Sequence, residues 1–129
     1  MDEQPYLYRT ERDGHMSEVA GVKYDQDKPD MSLISPIALF AVVRVMTFGK
    51  KKYTADNWRR GIVFSRLIAA ALRHIFLFLS GQRLDPETGE SHLAHAICCL
   101  MMILEFEETQ PELNDLFFYK QTNAETKAG

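Results

Sequence analysis

Cysteine is scarce in this sequence: it has two, Cys98 and Cys99, and they are adjacent. Neighbouring helical positions point about 100° apart, so the pair is not expected to form a disulfide. No secretory leader pattern opens the chain, and a reducing cytoplasm is the expected compartment. Long apolar runs are also missing. The longest, residues 96–104, is bounded by His95 and Glu105 and falls short of the ~18 residues that suggest a membrane span. An excess of positive charge is missing too, since 15 Lys and Arg face 18 Asp and Glu, for a net charge of −3. No basic field is left to hold a nucleic-acid backbone. Membranes and polymeric nucleic acid are therefore not expected as partners, whereas a local basic patch for a small phosphate ligand remains open.

Strand signals are weak. No segment alternates apolar and polar residues for long, and no Asn-Gly turn appears. The 46% of hydrophobic residues are concentrated in helix-length blocks, which predicts an all-α fold, a compact helical bundle. Residues 1–20 read as a polar N-terminal arm, 21–108 as the helical domain, and 109–129 as a tail with a short apolar patch at 113–119. Ser35-Pro36 has the form of an N-cap followed by proline at the first helical position. The helix it opens is expected over 36–48, ended by Gly49, with Lys50, Lys51 and Lys52 at its negative end. A second helix is expected from an N-cap at Ser65 to Ser80-Gly81, and a third from Ser91 to Glu108, before Pro111. These helices are too apolar for a 129-residue monomer to cover, which predicts an intertwined homo-oligomer, a dimer or tetramer.

Chemistry concentrates between His74 and His95. On the second helix Arg66, Ala70, Arg73, His74 and Leu77 share a face by their spacing of three and four. The following connection carries Asp85 and Glu87 on either side of Pro86, and the third helix opens with His92 and His95, one turn apart. Imidazoles at that spacing converge on one point. If the two helices are antiparallel neighbours, His74 joins them. Asp85, Glu87, His92 and His95 are the candidate metal ligands, and Glu87, His92 and His74 the candidate catalytic groups. Mixed imidazole and carboxylate ligands suit Mn, Fe, Co, Ni or Zn, and carboxylates alone suit Mg. The expected cofactor is a divalent metal, Mg or Mn, with Co or Zn as alternatives. Each residue also has a plainer reading: His74 as a hydrogen-bonded core residue, Asp85 as a turn stabiliser, Glu87 beside the positive end of the third helix. Cys98 and Cys99 read as small buried hydrophobes.

A second polar set lies at the helix ends. Lys23, Lys28, Lys52, Asn57, Trp58 and Arg59, joined by Arg73 from within the second helix, offer cations for phosphates, an amide donor and a flat ring for a base. The plainer reading is a solvated loop with Trp58 plugging the core.

The strings G-V-K-Y-D-Q-D-K-P-D-M-S-L-I-S-P, T-F-G-K-K-K-Y-T-A-D-N-W-R-R-G, R-H-I-F and D-P-E-T-G-E-S-H-L-A-H-A together resemble a phage and prophage family described as dATP/dGTP diphosphohydrolases. That family is related to the MazG-like all-α nucleotide pyrophosphohydrolases. The resemblance covers roughly residues 21–106. It implies a helical oligomer that hydrolyses a purine deoxynucleoside triphosphate to monophosphate and pyrophosphate with divalent metal, shaping a phage nucleotide pool in the host cytoplasm. The MazG-like pattern places two E-x-x-E/D pairs on facing helices. Here the second helix has no glutamate, and Arg73-His74 occupies the equivalent zone. The alternative is a non-catalytic nucleotide-binding or phage–host interaction protein on the same scaffold.

Overall fold

Residues 7–9, 16–18 and 20–120 are described by a computed structural model, which divides after Leu33 into two units. In the first unit, β1 (Leu7–Arg9) pairs antiparallel with β2 (Met16–Glu18), with Tyr8 opposite Ser17. The strands depart from the strand-free arm expected of this segment. Three-residue strands are too short to register as alternation, and the informative signal was Asp13-Gly14 between them in sequence, a pair favoured in hairpin connections. Further on, a 3-10 turn spans Met31–Leu33. The Asp30 carboxylate accepts both the N–H and the O–H of Ser32, at 3.0 and 2.6 Å. Lys23 and Lys28 are exposed in this unit.

The second unit is helical: α1 (Pro36–Lys52), α2 (Phe64–Leu79) and α3 (His92–Thr109). Among the described residues no helix is long and apolar enough to cross a membrane. α1 starts as expected, because the Ser35 hydroxyl accepts the Ala38 N–H at 3.1 Å and Pro36 needs no partner for a missing N–H. It does not stop at Gly49. The helix continues through Lys50, Lys51 and Lys52, and the Tyr53 N–H donates to the Gly49 carbonyl at 2.9 Å. Lysines are good helix formers and suit the negative end of the dipole, which outweighs the modest cost of one glycine. A 3-10 turn at Asn57–Arg60 follows and ends at Gly61, whose φ is +115°. A Cβ there would stand 3.1 Å from Gln110 Oε1 and 3.2 Å from Leu113 Cδ1, so glycine is required for both conformation and space.

α2 begins one residue before Ser65, and Ser65 is not its cap. Asp115 takes that role from fifty residues away: its carboxylate accepts the Ser65 N–H at 2.8 Å and the Ser65 O–H at 2.5 Å. A carboxylate at this position satisfies an orphan amide and faces the positive end of the helix.

α2 and α3 run antiparallel. Phe64 and Leu67 at the start of α2 share a core cluster with Phe106 near the end of α3, and His74 late in α2 meets His92 and His95 at the start of α3. Phe64, Leu67, Ala71 and His74 follow the i, i+3, i+7, i+10 rhythm of one helical stripe. α3 is buried on two sides. Ala94 and Cys98 pack with Val42 and Val45 of α1, while Phe106 packs with Trp58, Phe64 and Leu67. That double burial accounts for the apolar residues on those two sides, while Leu93, Ile97, Leu100 and Leu104 remain exposed. Phe106 is completely buried, and truncating it to alanine would cost about 3–5 kcal/mol of stability.

Candidate functional site

The segment between α2 and α3 is built around Asp85. Its backbone N–H donates to the Glu90 carbonyl at 2.8 Å and its carbonyl accepts the Gly89 N–H at 2.8 Å. Its Oδ1 accepts the N–H groups of Glu87 and Thr88 at 2.9 and 3.0 Å, so the side chain organises the turn that Pro86 stiffens. Gly89 supplies the positive φ, +73°, that closes it. The Ser91 hydroxyl then caps α3 by accepting the Leu93 N–H at 3.1 Å, as its sequence suggested. Two ion pairs fasten this segment to α1: Arg44 to both oxygens of Glu90 at 3.0 Å, and Lys52 to Glu87 at 3.0 Å.

Inside the clasp lies His92, wholly buried. Its Nε2 is 2.7 Å from Gln82 Oε1, an oxygen that can only accept, so the proton sits on Nε2 and Nδ1 carries the lone pair. His74 Nδ1 lies 2.8 Å from that lone pair and therefore donates to it, which leaves the second lone pair on His74 Nε2. Asp85 completes the group: one potential ligand atom each from His74, Asp85 and His92 lies within 4.8 Å of the others.

His95 stacks on His74, with ring centroids 4.5 Å apart and planes 14° apart. Its Nε2 meets the Thr88 hydroxyl at 2.7 Å. Burial, then the neighbouring imidazoles of His95 and His92, pull His74 below the ordinary histidine range. Burial does the same to His95 against the opposing charge of Asp85. For Asp85 itself, burial pushes the carboxyl up, but the Thr88 amide, the His95 ring and the Glu87 amide outweigh it and hold the carboxyl low. At neutral pH the cluster thus offers neutral imidazoles at His74 and His95 beside an ionised carboxylate, the protonation states in which such groups bind metal. His74, Asp85 and His92 form a possible metal-binding group on this donor chemistry, with Gln82 fixing the tautomer of one ligand from behind.

Beside this group opens a cleft of about 260 Å³. Lys52, Tyr53, Asn57 and Trp58 line it from the α1 end and the following connection. Glu87, Thr88 and His95 line it from the metal-group side, and Val45, Met46, Cys98 and Met102 form apolar wall. His95 is the residue common to cleft and cluster.

Of the residues singled out in the sequence, His74, Asp85, His92 and His95 come together, while Lys52, Asn57, Trp58 and Glu87 share the cleft. Glu87 points at Lys52 and stands outside the His74–Asp85–His92 group. Arg59 is engaged elsewhere, paired with Asp56 at 2.6 Å and Glu105 at 3.0 Å, its guanidinium 4.5 Å over the Trp58 ring. Arg73 is exposed on α2 and absent from the cleft lining, and Lys23 and Lys28 belong to the N-terminal unit. Two contributors escaped the sequence reading: Gln82 and Thr88. Thr88 lies in the D-P-E-T-G string seven residues before His95, so it had a positional signal. Gln82 had none.

The family described as dATP/dGTP diphosphohydrolase, N-terminal, matches residues 18–116. A protein of Salmonella phage PMBT28 named dATP/dGTP diphosphohydrolase is 37% identical over 97 residues, 75% of this chain and 33% of the relative. The chain thus spans about a third of the length of that curated relative. No solved structure matches the chain. The match runs through α1, the Asp85 turn and the histidines of α2 and α3, and by it the chain belongs to the family of dATP/dGTP diphosphohydrolase N-terminal domains.

Proposed function

We propose that this protein hydrolyses a purine deoxynucleoside triphosphate, dATP or dGTP, to the monophosphate and pyrophosphate with a divalent metal. The observation that carries the reading is the position of His95, which lines the cleft with one side and stacks on His74 of the His74–Asp85–His92 group with the other. A substrate in the cleft would lie beside that group.

Two imidazoles and one carboxylate are a donor set for Mn, Co or Zn more than for Mg, which prefers oxygen throughout. Such an ion would neutralise the polyphosphate and make a water more acidic. The chain's own groups do the rest. Lys50 and Lys52 draw the phosphates to the mouth of the cleft, and Lys52 exchanges Glu87 for phosphate as they arrive. Glu87, released from that pair, can turn inward as an additional ligand or a general base. His95, kept neutral by burial and outside the ligand group, can accept a proton from the attacking water. Cationic side chains at the mouth stabilise the charge on departing pyrophosphate. The apolar surface left on the helices supports a homo-oligomer as the working form.

A second reading is a non-catalytic nucleotide-binding or phage–host interaction protein, favoured by the single carboxylate in the ligand group and the engagement of Glu87 with Lys52. Pyrophosphate release from each of the four dNTPs, with Mg, Mn, Co or Zn added to metal-stripped protein, separates the two. Metal-dependent release from dATP or dGTP supports the hydrolase; silence from the folded protein with every metal points to the binding protein.

A further inference from the structure

We infer that Asn57 reads the edge of the purine and that Tyr53 supplies the surface on which the base rests. This inference rests on the reading of the cleft as a nucleotide site. A volume of about 260 Å³ is below the roughly 300–1,000 Å³ of pockets that enclose drug-sized ligands, so the cleft takes a base and sugar and leaves the triphosphate at its mouth. Its lining is sorted by polarity. Lys52 pairs with Glu87 and Thr88 with His95, two short polar contacts in the lining. Met46, Ile62, Trp58 and Met102 belong to one apolar core cluster. The phosphates belong with the first set and the base with the second.

Asn57 breaks the apolar set. It is half-buried and lines the cleft beside Trp58; its backbone N–H donates to the Thr54 carbonyl at 3.2 Å. Among the described residues its carboxamide makes no hydrogen bond within the chain, although no buried side-chain polar atom is left without a partner. The amide is therefore reachable and unspent. Trp58 offers little surface, being 8% exposed with Arg59 4.5 Å over its ring and Phe106 tilted at 5.7 Å. Tyr53 is an exposed aromatic of the lining, with Lys52 Nζ 5.5 Å from its ring centroid.

A carboxamide presents one donor and one acceptor side by side. It can pair with the N6 amino group and adjacent ring nitrogen of adenine, or with O6 and N1–H of guanine. One side chain thereby accommodates both purines. An aspartate at the same place offers acceptors alone, which suits the N1–H and N2 amino donors of guanine and repels the ring nitrogen of adenine.

The test is Asn57→Asp in the full chain, read by quenching of Trp58, the sole tryptophan, during titration with dAMP, dGMP and dTMP, alongside pyrophosphate release from dATP and dGTP. The added negative charge weakens both purine nucleotides alike and cancels in their ratio. The expected result is a shift of the dGMP-to-dAMP affinity ratio by about tenfold or more toward guanine. An unchanged ratio, with both nucleotides still bound, overturns the inference and leaves hydrolysis untouched. Purine binding that shows the shift in a protein that never releases pyrophosphate defeats the hydrolase reading and keeps the inference. A wild-type protein that binds neither dAMP nor dGMP overturns both. If the aspartate variant loses its helical circular dichroism, Asn57→Ala carries the test: it is expected to weaken dAMP and dGMP each about tenfold or more, and unchanged affinity for both overturns the inference.

Discussion

His74 Nδ1 lies 2.8 Å from His92 Nδ1, and the proton between them belongs to His74 because Gln82 holds the proton of His92 on the opposite nitrogen. Gln82 thereby fixes which nitrogen of His92 carries the lone pair, and an ion would take that lone pair once His74 yields the proton it donates there. Removing that support should weaken metal binding without removing a ligand. Gln82→Ala is expected to lower affinity for Mn, Co or Zn by about ten- to a hundredfold, and His92→Ala to lower it further. Competition against a chelating dye measures both. Equal affinity in wild type and Gln82→Ala would show that the tautomer is set by something else.

Thr88 holds His95 at the border of cluster and cleft. Its hydroxyl meets His95 Nε2 at 2.7 Å and accepts the Glu90 N–H at 3.2 Å. Thr88→Val keeps the shape and removes these bonds. It should lower kcat about ten- to a hundredfold with little change in KM, the scale of other supporting hydrogen bonds behind an active group, and Thr88→Ser should restore most of it. Equal loss in valine and serine variants would trace the effect to packing of the threonine methyl.

Legibility in the sequence followed range. Ser35-Pro36 and Ser91 were readable because a cap acts within three residues. Helical spacing put His92 and His95 one turn apart on α3, where each meets His74, but only His92 joins His74 and Asp85 in the donor group. The approach of His74 needed the antiparallel packing of α2 on α3, which the short connection favoured. What was not readable depends on contacts distant in sequence. Asp115 caps α2 from the C-terminal segment, Lys52 claims Glu87 across 35 positions, and Glu105 claims Arg59 across 46. Gly49 misled because its local cost is small beside the lysines that follow it. Trp58 looked like a platform for a base, and only its neighbours reveal that Phe106 and Arg59 flank its ring.

The lowered pKa values of His74 and His95 make stability depend on pH in a definite direction. Below about 6.5 the unfolded chain binds protons that these two folded histidines refuse, so stability is present above that value and lost as pH falls toward the depressed folded values. Metal-stripped protein should show a Tm that drops between pH 7 and 5.5. The double variant His74→Gln, His95→Gln should flatten that slope in differential scanning calorimetry. A slope as steep as in the wild type would place the proton uptake elsewhere.

Cys98 should be a poor nucleophile. Burial pushes its thiol up to about 11 from an ordinary 9.0, and its S–H points to Met46 Sδ at 3.1 Å. At pH 8 the thiolate fraction falls about a hundredfold below that of an exposed thiol. Alkylation by iodoacetamide, followed by peptide mass spectrometry, should therefore mark Cys98 slowly in the folded protein and readily in denaturant. Rapid native labelling would mean that the α1–α3 interface opens far more often than its packing suggests.

The apolar surface of the helices carries the last prediction. On α3, Leu93, Ile97, Leu100 and Leu104 are exposed at helical spacing, and on α2 so are Leu72, Phe76 and Leu79, the last at 77%. Isolated exposed leucines are ordinary, but apolar stripes on two helices packed against each other are the kind of surface that marks an interface. A second copy of the chain is the occupant proposed, and a stable contact needs about 1,000 Å² or more of total buried area. Sedimentation should accordingly give a dimer or tetramer. Ile97→Lys together with Phe76→Lys should move the protein to monomer while its helical circular dichroism persists, because neither side chain belongs to the buried core. A wild-type chain that sediments as a monomer at micromolar concentration would leave those stripes without a homotypic partner and defeat the prediction.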